Sequence, residues 1–76
     1  MGVHVPDDEP SDWLRRLSPV ERALLERLAT GATIATAAAA EFLSLRTANR
    51  RIADLRRRAG VPTTRELVLI YRASRG

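Results

Sequence analysis

Apolar residues recur along this chain at intervals of three and four, and the runs are punctuated by capping hydroxyls, glycines and prolines, the signature of short amphipathic helices. Ser18-Pro19-Val20-Glu21 reads as a capping box: the serine hydroxyl accepts from the third helical residue and Glu21 reaches back. Pro19 takes the first helical position, where a missing N–H costs nothing. Leu17 is placed to staple onto the first turn. Val20, Ala23, Leu24 and Leu28, widened by Leu25, then form one apolar stripe, and Gly31 after Thr30 ends it. Thr33 caps a second, short helix to about Glu41, rich in alanine over 37–40. Phe42 and Leu43 make a turn, and Ser44 caps a helix from Leu45 to Ala59 with the stripe Leu45, Ala48, Ile52, Leu55 and Ala59. Gly60 supplies a left-handed stop and Pro62 prevents continuation. Thr63-Thr64-Arg65-Glu66 is a second capping box. It opens a helix over 64–74 with Leu67, Ile70 and Tyr71 on one side and Val68 and Leu69 broadening it.

No stretch alternates with period two, so no strand is expected. The pattern predicts an all-α fold of four short helices joined by tight turns, with Leu24, Leu28, Leu43, Ile52 and Leu55 at its centre. Ahead of them, Ser11 to Leu17 can add one helical turn with Trp13, Leu14 and Leu17 on a face, Trp13 acting as a lid on the core. Residues 1–12 read as an acidic, flexible tail and residues 13–76 as the single domain.

Charge adds more than composition. All thirteen basic residues are arginine and none is lysine. The first twelve residues hold Asp7, Asp8, Glu9 and Asp12 with no base, while the remainder sets thirteen arginines against five acids. A basic body of this kind is the electrostatic footprint of nucleic-acid binding. With no cysteine and one histidine, His4 in the leader, disulfides, thiol catalysis and zinc–thiolate sites are excluded. No metal site, catalytic group or cofactor is expected: no histidine pairs with a carboxylate, and the four glycines are isolated, so no phosphate-binding loop is present. The apolar runs, Ala37 to Ala40 among them, are far too short for a membrane, and nothing resembles a signal peptide. The expected location is therefore the cytoplasm, in association with the nucleoid.

The short helix, the turn at 42–44 and the longer helix have helix-turn-helix spacing. Opposite Ile52 and Leu55, the longer helix carries Arg46, Asn49, Arg50, Ala53, Asp54 and Arg57, with Arg51 and Arg58 at the flanks. Arginine and asparagine are the side chains whose donors match guanine and adenine edges in the major groove. Cations and cap hydroxyls suit phosphates, which assigns the backbone contacts to Arg46, Arg51, Arg57, Arg58 and Thr33. The competing reading is a solvated arginine face in which Asp54 pairs with Arg50 and Arg58 across one helical turn.

The stretch from Leu17 to Val68 also resembles the DNA-binding domain of the LuxR/GerE family of bacterial regulators. The resemblance rests on Leu17-Ser18-Pro19, Glu21-Arg22, Leu25, Leu28-Ala29-Thr30-Gly31, Leu43-Ser44, Thr47, Ile52, Leu55, Ala59-Gly60-Val61 and Arg65-Glu66-Leu67-Val68, in order and without gaps. It implies a tetrahelical helix-turn-helix with the 45–59 helix in the major groove. Its DNA contacts would come from Thr47, Asn49, Arg50, Arg51 and Ala53. The base contacts fall to Asn49, Arg50 and Ala53, and Thr47 joins the backbone set. The resemblance further implies a homodimer on DNA through the 64–74 helix, by way of Leu67, Ile70 and Tyr71. Asn49 stands where the family usually has a lysine or arginine, and Arg51 where it often has histidine. Glu41 occupies what is normally a core leucine. A buried unpaired carboxylate is costly, so Glu41 is expected to tilt outward or pair with an arginine while Phe42 fills the space.

These readings converge on a sequence-specific regulator of transcription that binds double-stranded DNA. RNA polymerase or another regulator would be further partners. The alternative is a protein-interaction module on the same scaffold, binding a sigma factor, a polymerase subunit or another regulator.

Overall fold

The computed structural model describes residues 12–75; the leader and the expected Ser11 cap lie outside them. The chain forms α1 (Asp12–Arg15), α2 (Pro19–Ala29), α3 (Ile34–Ala40), α4 (Leu45–Ala59) and α5 (Thr64–Arg75), with no strand among the described residues. The all-helical fold thus consists of the four expected helices preceded by a single turn. Asp12 belongs to that turn rather than to the tail, where it binds Arg15 and Arg16.

Four caps start the four longer helices. The Ser18 hydroxyl accepts from the Glu21 N–H and the Glu21 carboxylate accepts from the Ser18 N–H at 3.0 Å, closing the box in both directions. Thr33 and Ser44 accept from the N–H groups of Thr36 and Thr47. Thr63 accepts from the Glu66 N–H, but here the carboxylate takes the Thr63 hydroxyl rather than the backbone N–H.

The helix ends share one device. In α2, Gly31 N–H donates to Leu28 and Ala32 N–H to Arg27. In α3, Phe42 N–H donates to Ala39 and Leu43 N–H to Ala38. In α4, Gly60 N–H donates to Arg57 and Val61 N–H to Arg56. Each is the paired bond of a Schellman motif, which needs a left-handed residue at its corner. Gly31 (φ 103°) and Gly60 (φ 75°) fill that corner twice; Phe42 (φ 59°) fills it the third time. For a bulky side chain this backbone is an outlier that costs about 1–3 kcal/mol.

Two clusters make the core. Trp13, Leu25, Ile52, Leu55, Leu67 and Tyr71 form the larger, binding α1, α2, α4 and α5 together. Leu24, Ala37, Ala38 and Ala48 form the smaller, where α3 lies against α2 and α4 through side chains small enough for close approach. Leu28 and Ile34 touch both. Of the expected centre, Leu24, Ile52 and Leu55 are buried, while Leu28 and Leu43 lie at the margin.

Three expectations are corrected. Phe42 does not fill the space near Glu41: it is 96% exposed, because the left-handed corner takes its side chain away from the core. Leu45 begins the α4 stripe but is 50% exposed, since the stripe outruns its cover at the first helical turn. Leu67 and Tyr71 are buried within the molecule, on the α5 face that packs against α2 and α4, so neither offers surface for a dimer.

Candidate nucleic-acid interface

The outer side of α4 is where the sequence places its donors, and the fold sorts them into two halves. Ala48, Ile52 and Leu55 are inside, which commits the opposite face to solvent. Asn49, Arg50 and Arg46 are exposed; Ala53, Thr47 and Arg51 are partly covered. An open groove lined by Glu21, Thr47, Arg50, Arg51, Asp54 and Arg57 runs along α4 beside the first turn of α2.

Towards the C-terminal half, two of the three cations are compensated, while Arg56 donates to the Pro62 carbonyl at 3.4 Å. Asp54 binds Arg57 at 2.9 Å and Arg58 at 2.8 Å, while Arg58 also binds Glu21 of α2 at 2.7 Å. Burial works to raise the Asp54 carboxyl, but Arg58 and Arg57 outweigh it and hold it below its ordinary value. Glu21 behaves likewise: burial works to raise its carboxyl, whereas the Ser18 N–H and the Arg58 guanidinium bring it below the usual range. Arg58 is therefore a strut between two helices, which removes it from the expected phosphate contacts. Arg57 keeps most of its side chain in solvent and can exchange Asp54 for a phosphate.

The N-terminal half is uncompensated. Arg46, Arg50 and Arg51 have no carboxylate partner among the described residues. The expected Asp54–Arg50 pair is not formed, because Asp54 is engaged by Arg57 and Arg58. Arg51 Nε is shielded and makes no hydrogen bond. Glu41, the nearest acid before α4, binds Arg27 at 2.8 Å, the pairing expected of it. Positive charge is thus concentrated on the first two turns of α4, where the helix dipole adds to it. Such a surface is chemically suited to an anion at its edges and presents long donors at its centre.

Thr33 is set apart from these groups. Its hydroxyl accepts from the Thr36 N–H and donates to the Thr36 hydroxyl, and it borders a different groove, lined with Leu28, Ile34, Arg65, Val68, Leu69 and Arg72 beside α5. On α5, Leu69 is 52% exposed while Val68 and Ile70 are both partly covered, so the outward apolar surface of that helix centres on Leu69. Sequence periodicity alone does not reveal the Glu21–Arg58 strut: the partners lie 37 residues apart and Glu21 already has a role in its cap. Among the described residues no helix is long and apolar enough to cross a membrane. No protein-family model, no curated protein and no solved structure matches this chain.

Proposed function

We propose that this chain is a sequence-specific, double-stranded DNA-binding regulator of transcription, acting in the cytoplasm at the nucleoid. In this reading α4 enters the major groove. Asn49 and Arg50 face base edges with Ala53 between them and the following turn, and Arg46, Thr47, Arg51 and Arg57 reach phosphates. The observation that carries the reading is the uncompensated arginine cluster on the first two turns of a capped, solvent-facing helix. Carboxylates pair with Arg57 and Arg58 further along that helix and leave this part alone. The LuxR/GerE-like residue pattern supports the same placement.

Two copies on an inverted repeat would meet along α5 through Val68, Leu69 and the exposed part of Ile70. That would set two α4 helices about 34 Å apart, one turn of duplex. The exposed apolar residues of α5 between Arg65 and Arg72 are the observation that favours the second reading, a module that docks on a transcription protein.

Selection from a random duplex pool at near-physiological salt tests the first reading. Enrichment of one motif is expected, with affinity that falls by orders of magnitude between about 50 and 200 mM salt. Arg50→Ala should cost about 1–3 kcal/mol and relax the preference at one base pair. A pool that stays random, with weak binding that vanishes as salt rises, would sink the reading in favour of the protein-docking module.

A further inference from the structure

The turn between α3 and α4 contains a residue that folding does not account for. Phe42 is 96% exposed, so its ring adds nothing to the core. Its backbone has φ 59°, a conformation that glycine takes without strain. The same chain provides the comparison: the equivalent corners of α2 and α4 are Gly31 and Gly60. Two of three identical motifs are built with the unstrained residue and the third with an aromatic one. Strain of this kind is kept where a side chain acts on something outside the chain.

The surroundings indicate what that something is. Leu45, three residues on, is half exposed and carries a second apolar side chain to the head of α4. The same end of the helix holds Arg46, Asn49 and Arg50 with no carboxylate partner. Glu41, adjacent to Phe42, has its charge answered by Arg27. The surface is thus an apolar edge continuous with uncompensated cations, which suits a polyanion that also exposes apolar groups. Duplex DNA does so through the thymine methyl in the major groove and the face of the deoxyribose next to each phosphate.

We propose that Phe42, with Leu45, is an apolar contact to duplex DNA at the margin of the α4 surface. Its ring packs on a thymine methyl or a deoxyribose beside the phosphates that the arginines engage. The inference rests on the DNA-binding reading and extends it to the turn. Phenylalanine against the thymine methyl is a known mode of base reading, and removing so large a buried apolar group weakens binding roughly ten- to a hundredfold.

The test uses the full chain and the duplex enriched from the random pool, with affinity read by fluorescence anisotropy. Phe42→Gly relieves the backbone, so the variant should melt higher than the parent and still bind at least tenfold more weakly, with an unchanged dependence on salt. A loss of affinity in a more stable protein cannot be put down to unfolding. Replacing each thymine by uracil separates the two sources. If the methyl is the contact, the parent weakens on the uracil duplex and Phe42→Gly weakens no further. If the sugar is the contact, the parent is indifferent to uracil and the variant loses affinity on both duplexes. Parental affinity in Phe42→Gly, with Arg50→Ala still impaired, would overturn the contact and leave the α4 reading intact. Failure of the parent to bind any duplex would overturn both.

Discussion

Phe42 and Gly60 occupy the same place at the ends of two helices, so substitutions there should move stability in opposite directions. Nothing lies within 4 Å of a methyl group added to Gly60, which leaves the left-handed backbone as the whole penalty. Gly60→Ala is expected to cost about 1–2 kcal/mol and Phe42→Gly to return about 1 kcal/mol. In a domain of this size each kilocalorie shifts Tm by about 4–8 °C, well within reach of a thermal melt. Glu21 governs the acid limb. Its carboxyl is held below the ordinary 4.5 because the Ser18 N–H and Arg58 outweigh its burial. A depressed folded value means that the unfolded chain takes up this proton more readily. The contribution is therefore complete above about pH 4.5 and is lost as pH falls through the folded value. Glu21→Gln should destabilise the fold at neutral pH by about 1.5–3 kcal/mol for a charged hydrogen bond removed, read as a lower Tm. It should also flatten the decline below pH 4.5; parallel pH profiles for the two proteins would refute the role. Local chemistry made Ser18, Thr33, Ser44, Thr63 and Gly60 readable from the sequence, because each acts within four residues of itself. Phe42 was misread for the opposite reason: hydrophobicity counts the ring, whereas the backbone corner decides where it goes.

At the scale of the element, periodicity located the helices because burial of one stripe is what stabilises each of them. The α4 limits agree with the expectation at both ends, where a serine cap and a left-handed glycine leave little latitude. Ile52, buried at the centre of α4, is with Leu55 one of the two large side chains that tie that helix into the larger cluster. Ile52→Ala should cost about 2–5 kcal/mol, comparable with the whole stability of so small a domain. Loss of the cooperative melt is expected, followed by Trp13 fluorescence. By contrast Arg27→Ala should cost less than about 1 kcal/mol, since the Arg27–Glu41 pair lies in solvent. The site was legible only in outline. Helical spacing put the arginines on one face and offered the Asp54–Arg58 pair across one turn, but it gave no hint that Glu21 of α2 would also bind Arg58. For α5 the stripe was right and its use was wrong, because the residues that periodicity groups together are those the fold keeps for itself.

For the whole molecule, an excess of arginine makes any association with a polyanion a function of ionic strength, with each phosphate contact contributing a near-unit slope. Charge reversal at Arg46 or Arg51 should lower that slope by about one, whereas Phe42 and Leu45 substitutions should leave it unchanged. The two-cluster core has a consequence of another kind. The α3 helix is fastened by two buried alanines, while α2, α4 and α5 share leucines, an isoleucine and two aromatic rings. Segments that bury little apolar surface open at a lower free energy than the global transition. Amide hydrogens of 37–43 should therefore exchange with deuterium earlier than those of 51–55, while the larger cluster stays closed. Under the proposed DNA contact, residue 42 would sit at the end of the segment that opens first and could follow a groove of varying width without disturbing α4.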